Sequence, residues 1–281
     1  MGSLSDYSEN ELLDHLFNAA YSPAATVYLA LCTGDPTDAG TGASMSEVAD
    51  ANNYARTAIA FSAASSRAVV QNGVVTFPEA SGAWGTVTHW AIVDSGSHGA
   101  GNMLAHGAFG SSFAPVNGNT PSVADTEINI TIIATATGAG LTDYAVHELL
   151  DLMFRNQAFS SPANDTFVML MSVVADDQDV AVSNLTELTG TSYARVEVNA
   201  NGGSSPTWDL AASGVVDNTH VITIGPPGAD DWDEVVAMAI VDAISGAANV
   251  LCYDNANIVD QTPTSADTVQ FAAGALDITM T

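Results

Sequence analysis

The chain has 281 residues, 47% of them hydrophobic, and sets 32 acidic residues against four basic ones for a formal net charge of −28. That much apolar content excludes a disordered chain. Four arginines without a lysine cannot neutralise rows of phosphates, so nucleic acid and anionic membrane surfaces are excluded as partners.

The lysine-free acidic balance reads as adaptation to molar salt, where screening over about 3 Å suppresses carboxylate repulsion. Membrane insertion is not expected. The longest apolar stretch, "VVAMAIVDAI" from Val235, falls short of the roughly 20 residues that span a bilayer and is broken by Asp242. The opening "MGSLSDYSEN" has neither a basic region nor an apolar segment, so no signal peptide is expected.

The first predicted element is a helix in "LSDYSENELLDHLF", from Leu4. Ser5 is placed to cap it and Asp6 to meet its positive end. Leu12, Leu13, Leu16 and Phe17 recur at helical spacing and form one apolar face, and Pro23 stops the helix. Short alternating or β-branched runs follow: "TVYLALC", "ARTAIAFS", "NGVVTF", "THWAIVD", "NMLAHGAF" and "EINITII". Turn-forming clusters separate them, and the loop Thr33–Asn53 is expected to project from the sheets.

At Leu141 the helix phrase returns as "LTDYAVHELLDLMF". Thr142 and Asp143 take the places of Ser5 and Asp6. Leu149, Leu150, Met153 and Phe154 repeat the apolar face, and Pro162 follows. Further blocks recur in order. "TVYLAL" from Thr26 answers "TFVMLM" from Thr166, and Tyr54–Arg56 answers Tyr193–Arg195. "WGTVTHWAIVD" from Trp84 answers "WDEVVAMAIVD" from Trp232, and "GNMLAHGAF" from Gly101 answers "ANVLCYDNA" from Ala248. "NTPS" at Asn119 answers "QTPT" at Gln261, and "INITI" at Ile128 answers "LDITM" at Leu276. The chain is a tandem duplication. Its expected domains are residues 1–136 and 141–281, joined by a flexible seam "ATATGAG" at Ala134–Gly140. The fold class is mainly β: two tandem antiparallel β-sandwich domains, each preceded by an N-terminal α-helix packed across an edge or end of the sandwich.

A search for chemistry yields no catalytic, cofactor-binding or metal-binding residue, and no cofactor is expected. Cys32 and Cys252 lie in apolar strand-like runs and read as buried free thiols. The six histidines, His15, His89, His98, His106, His147 and His220, show neither zinc-site spacing nor a recurring carboxylate partner. Gly-x-Ser-x-Gly and a phosphate-binding loop are both missing. The acidic clusters at Asp35, Asp176 and Asp230 do not follow the twelve-residue calcium-loop pattern. Sequons stand at Asn129, Asn164 and Asn184. Arg56 and Arg195, each after Tyr-Ala, are expected to anchor a loop through a bidentate bond to an acidic partner, with a role at a subunit interface as the alternative.

The phrases "LSDYSENELLDHLF", "PAATVYLALCTGDPTDAGTG", "YARTAIAF", "NGVVTFPEASGAWGTVTHWAIVD" and "GNMLAHGAF" with "GNTPS" together resemble a widespread family of tailed-virus and prophage virion proteins. Members are often labelled tail fibre protein or virion structural protein. The resemblance covers nearly all of repeat one, is weaker in repeat two, and implies a non-enzymatic protein located in the virion. With the charge, it points to a tailed virus of halophilic hosts.

Lacking heptads and shaft-like repeats, the chain is expected to be a capsid decoration or vertex turret protein. The alternative is a tail fibre or baseplate protein. A carbohydrate-binding adhesin, carried by Trp84, Trp208 or Trp232 on exposed loops, is a further alternative. Expected partners are further copies in a homo-oligomer (trimer or pentamer), other virion proteins such as the major capsid protein, and a host surface receptor. Repeat one holds 12 acidic and two basic residues (−10) and repeat two 20 and two (−18). Repeat one is therefore expected against the virion body and repeat two outward. Receptor contact would then fall on the loops Asp176–Leu188 or Asn199–Trp208.

Overall fold

The computed structural model describes residues 2–133, 139–159, 165–173, 185–229, 231–255 and 258–280. The first half runs β1 (Ser3–Leu4), α1 (Asp6–Phe17), β2 (Val27–Cys32), β3 (Thr57–Ile59), β4 (Ala68–Val70), β5 (Val75–Thr76), β6 (Val87–Val93), β7 (Met103–Phe113), β8 (Ser122–Val123) and β9 (Asn129–Thr131). The second half repeats that order: β10 (Ala139–Leu141), α2 (Asp143–Arg155), β11 (Asp165–Met171), β12 (Val196–Asn199), β13 (Val215–Val216), β14 (Ile222–Ile224), β15 (Ala237–Val241), β16 (Val250–Asp254), β17 (Val269–Phe271) and β18 (Ile278–Thr279). Each half has an antiparallel five-stranded sheet, β1-β7-β6-β2-β3 or β10-β16-β15-β11-β12. Two-stranded sheets β4-β9 and β5-β8, or β13-β18 and β14-β17, accompany it. The protein is mainly β, in two tandem halves, each led by a helix.

The helices start where the sequence puts them. The Ser5 hydroxyl accepts from the Ser8 N–H at 3.3 Å, and the Thr142 hydroxyl accepts from the Ala145 N–H at 3.2 Å. The same hydroxyls donate to the carbonyls of Met103 and Val250, so each cap also ties its helix to the last-but-one strand of its sheet. The helices stop at Phe17 and Arg155, with Asn18 and a left-handed Asn156 as caps. Pro23 thus lies beyond the end of α1, and Pro162 falls outside the described residues.

Alternation along β2 explains the layering. Val27, Leu29 and Leu31 join the main core, while Ala30 and Cys32 point to the opposite face and pack with Ala91, Val93, Met103 and Met45. That opposite face is not left to solvent. The loop after β2 does not project as expected but folds back across it. Met45 and Val48 are buried, and the Val48 N–H donates to the Leu31 carbonyl at 2.9 Å. In repeat two, Leu188 does the same with Leu170 at 2.9 Å.

Two of the sequence pairings slip. "TVYLAL" set Leu31 opposite Met171, yet it is Leu170 whose N–H meets the Tyr193 hydroxyl at 3.0 Å, as Leu31 meets Tyr54 at 2.9 Å. One residue of slip would turn every side chain to the wrong face. Phe167, Met169 and Met171 accordingly form the outer cluster of the second sheet. Likewise "QTPT" does not occupy the place of "NTPS". The Pro263 carbonyl accepts from the Trp232 N–H at 3.2 Å, the role of Pro115 toward Trp84 at 3.1 Å, whereas Pro121 accepts from Phe77. The seam is also shorter than expected, because Ala139 and Gly140 already pair with β16. Residues 134–138 lie outside the described residues.

Every pairing between the named strands closes within its own half. The main core does not: side chains from both halves form one continuous cluster. Each helix lies against its own sheet, α1 on β7 and α2 on β16, and against the other half's hairpin, α1 on β13 and α2 on β4.

Candidate functional site

The repeated Tyr-Ala-Arg resolves into a loop clamp. Arg56 lies on the approach to β3, and its Nε and Nη2 donate to the two carboxylate oxygens of Glu47 at 2.8 and 2.7 Å. Its remaining donors reach the carbonyls of Ser95, Ala100 and Gly42. The Tyr54 hydroxyl donates to Glu47 at 2.9 Å. One arginine therefore ties two loops, the one after β2 and the one between β6 and β7, over the outer face of the sheet. Arg195 repeats the fork on Glu187, at 2.8 Å for both bonds, and holds the carbonyls of Ala243 and Gly246. The bidentate expectation holds. The partners Glu47 and Glu187 escaped the sequence reading because both lie inside loops without periodicity.

Each histidine has a hydrogen-bond partner. His15 is buried, accepts from the Tyr21 N–H at 3.0 Å, and is kept neutral by desolvation, which lowers its pKa. His147 accepts from the Arg67 N–H at 2.9 Å. His89 bonds Thr88 and His220 bonds Thr219. His98 reaches the Val48 carbonyl at 2.9 Å, and His106 reaches Asp38 at 2.8 Å. Among the described residues, no three acidic, histidine or cysteine side chains come together as a metal site. Asp176 and Asp230 fall outside those residues, as do Asn164 and Asn184. Asn129 sits in β9 and bonds Thr131 at 3.1 Å. Cys32 and Cys252 are buried free thiols, and burial raises both pKa values.

The tryptophans are not exposed, which corrects the adhesin expectation. Trp84, Trp208 and Trp232 are 5%, 0% and 2% exposed. Trp84 and Trp232 pack edge-on against Tyr54 and Tyr193, and Trp208 packs on Phe17. Wedging Trp208 into the core buries the base of the loop Asn199–Trp208, while residues 201–205 remain exposed. In the other loop expected to meet a receptor, Asp176–Leu188, only Leu185–Leu188 are described.

What the surface of repeat one does carry is an aromatic groove. The β6–β7 register shifts between His89↔Ala108 and Val87↔Phe113, so β7 bulges over Phe109–Ser112. The bulge brings the Phe109 and Phe113 rings to 5.5 Å, edge to face. With Ser111, Ser122 and Glu127 they line a groove of about 480 Å³. In repeat two the Val235↔Gln261 bridge puts Gln261 where Phe113 stands. Phe109 and Phe113 are partly buried and also pack against the main core. The sequence signal was there, two phenylalanines flanking "GSS" at a strand end, but it reads as an ordinary strand until the bulge is seen.

A family model for Podophage GP4 fiber I protein gp80 matches residues 3–131 and again residues 140–279. The chain belongs to that family. The gp80 unit corresponds to one repeat, and this protein carries two. No curated protein matches the chain. Membership makes it a virion-located, fibre-type structural protein of a tailed virus. Between the two expected locations, it favours the tail-fibre alternative over the capsid turret.

Proposed function

We propose that the protein is a non-enzymatic, compact module of a virion fibre, working as a homo-oligomer and attached to the particle through repeat one. The carrying observation is the double gp80 match over both halves. Support for attachment comes from repeat one's lower like charge (−10 against −18) and its aromatic groove, suited to an apolar side chain of a neighbouring virion protein. The five-stranded sheets end at β3 and β12, edges that symmetric assembly of three or five chains would cover. The acidic, lysine-free surface suits a virus of salt-loving hosts.

Phe109→Ser with Phe113→Ser tests the attachment. The variant should fold, yet be depleted from purified particles by at least tenfold; undiminished incorporation overturns it. Light scattering in high salt reads the oligomer, and a monomer at high concentration overturns that part.

The decoration or turret reading keeps one favouring observation. Among the described residues no element is longer than the 13-residue α2, so no shaft is visible. Gold labelling of particles separates the two, at the tail for a fibre module and at the capsid vertices for a turret.

A further inference from the structure

The contact between the halves is reciprocal. Asp14 on α1 accepts from the Ala211 N–H of repeat two at 2.8 Å, and Asp151 on α2 accepts from the Ala64 N–H of repeat one at 2.8 Å. Asn10 accepts from the Gly214 N–H at 2.9 Å, and His147 accepts from the Arg67 N–H at 2.9 Å. Phe17 packs on Trp208 at 4.9 Å, and Phe154 packs on Phe61 at 5.4 Å. Both hairpin turns are built alike, with Ser66 and Arg67 at φ 49° and 60°, and Ser213 and Gly214 at φ 53° and 69°. In a twofold interface, residue i meets j while j meets i. Here the repeat equivalents meet in that way inside one chain.

We propose that this contact is an isologous dimer interface closed within one chain: the halves hold each other without the covalent link, and repeat one's side of it fits a second copy of repeat one. Set repeat one in the place of repeat two and the partners survive. Ala64 offers its N–H to Asp14, Arg67 offers its N–H to Asn10, and Phe61 meets Phe17. The Arg67 side chain, which now reaches Asp143 at 2.8 Å, would meet Asp6, the equivalent of Asp143. Glu9, whose Oε2 lies 2.7 Å from where a Cβ on Gly214 would stand, would shift at the end of its flexible side chain and meet the same cation. The bond from the Asn201 N–H to Asn18 would be lost, because repeat one has a shorter loop there.

Repeat two is less suited to pair with itself. It has Gly214 where repeat one has Arg67, so Asp143 would have no cation opposite. The gp80 match, one unit per half, agrees with a unit that pairs and is here already paired.

The test cuts the link and leaves out only Thr137 and Gly138. Residues 1–136 and 139–281 are produced together as separate chains, in the salt that the intact protein needs. Native mass spectrometry should find one copy of each in a single complex. Added excess of 1–136 should yield repeat-one homodimers and leave no homodimer of 139–281. Halves that migrate separately at tens of micromolar overturn the interface, and a strictly monomeric 1–136 overturns its self-complementarity.

Should the separate chains be insoluble, the intact protein carrying Asp14→Ala with Phe17→Ala still decides the matter. Amide exchange should quicken at least tenfold in β13 and β18 of the opposite half. Quickening confined to α1 would show two independent halves and overturn the proposal.

Discussion

At the scale of single residues, the two loop clamps look alike but sit in different surroundings. Arg56 and Glu47 are 0% and 5% exposed at their side chains, whereas Arg195 and Glu187 are 1% and 27% exposed. Removing one partner of a buried pair leaves an uncompensated charge and costs about 3–5 kcal/mol. Arg56→Met is therefore expected to lower stability by about that amount. Arg195→Met should cost less, because water reaches Glu187. Denaturant titration of the two variants at one salt concentration checks the order.

A second residue-scale prediction concerns acid. Burial first, then Asp6 and Asp38, pushes the half-buried Glu9 carboxyl up to about 7. Asp217 is pushed up to about 6, chiefly by the hydrogen bond it shares with Asp277. A raised folded-state pKa means that the native state holds protons the unfolded state has released. These groups thus favour folding below the ordinary carboxyl range, and that contribution is lost as pH rises through about 6 to 7. Melting temperature should fall between pH 5 and pH 8 at fixed salt, and Glu9→Gln should flatten that slope. An unchanged slope in Glu9→Gln would remove Glu9 as the cause.

At the scale of elements, the helices are the hinge pins of the molecule. Their caps anchor them to β7 and β16, and their apolar faces enter a core shared with the opposite half. Phe17 is 1% exposed and lies against Trp208 from the other repeat. Phe17→Ala is expected to cost about 3–5 kcal/mol, the range for large buried aromatics cut to alanine. The loss should appear as one cooperative transition, since the same cavity opens into both halves. Calorimetry resolving two separate transitions, only one of them shifted, would contradict a shared core.

At the scale of the whole molecule, the net charge of −28 governs the solvent the fold needs. Carboxylates repel over about 10 Å at 0.1 M salt and over about 3 Å at 1 M. The intact protein should melt at a lower temperature after dialysis from about 3 M to about 0.1 M sodium chloride, because repulsion across the crowded surface is then unscreened. Equal melting curves at the two salt concentrations would remove salt adaptation from the account.

The sequence alone determined the duplication, the helix caps, the antiparallel character of the main sheets and the two clamping arginines. Each is written in local spacing or in a repeated phrase, and local spacing survives without knowledge of the fold. The helix phrase was readable twice because Ser5 and Thr142 each sit one residue before a helix whose later turns carry an apolar 3.6-residue pattern. Tertiary structure decided the rest. It set β11 one residue away from the apparent alignment with β2, because the faces of a strand are assigned by what covers them and not by letter matches. It folded the Thr33–Asn53 loop inward, since Glu47 finds its arginine only once the sheet exists. It brought Phe109 and Phe113 together through a bulge that no periodicity announces. It also joined the two repeats through Asp14, Asp151 and their partners, a contact between residues distant in sequence that only the packed core can specify.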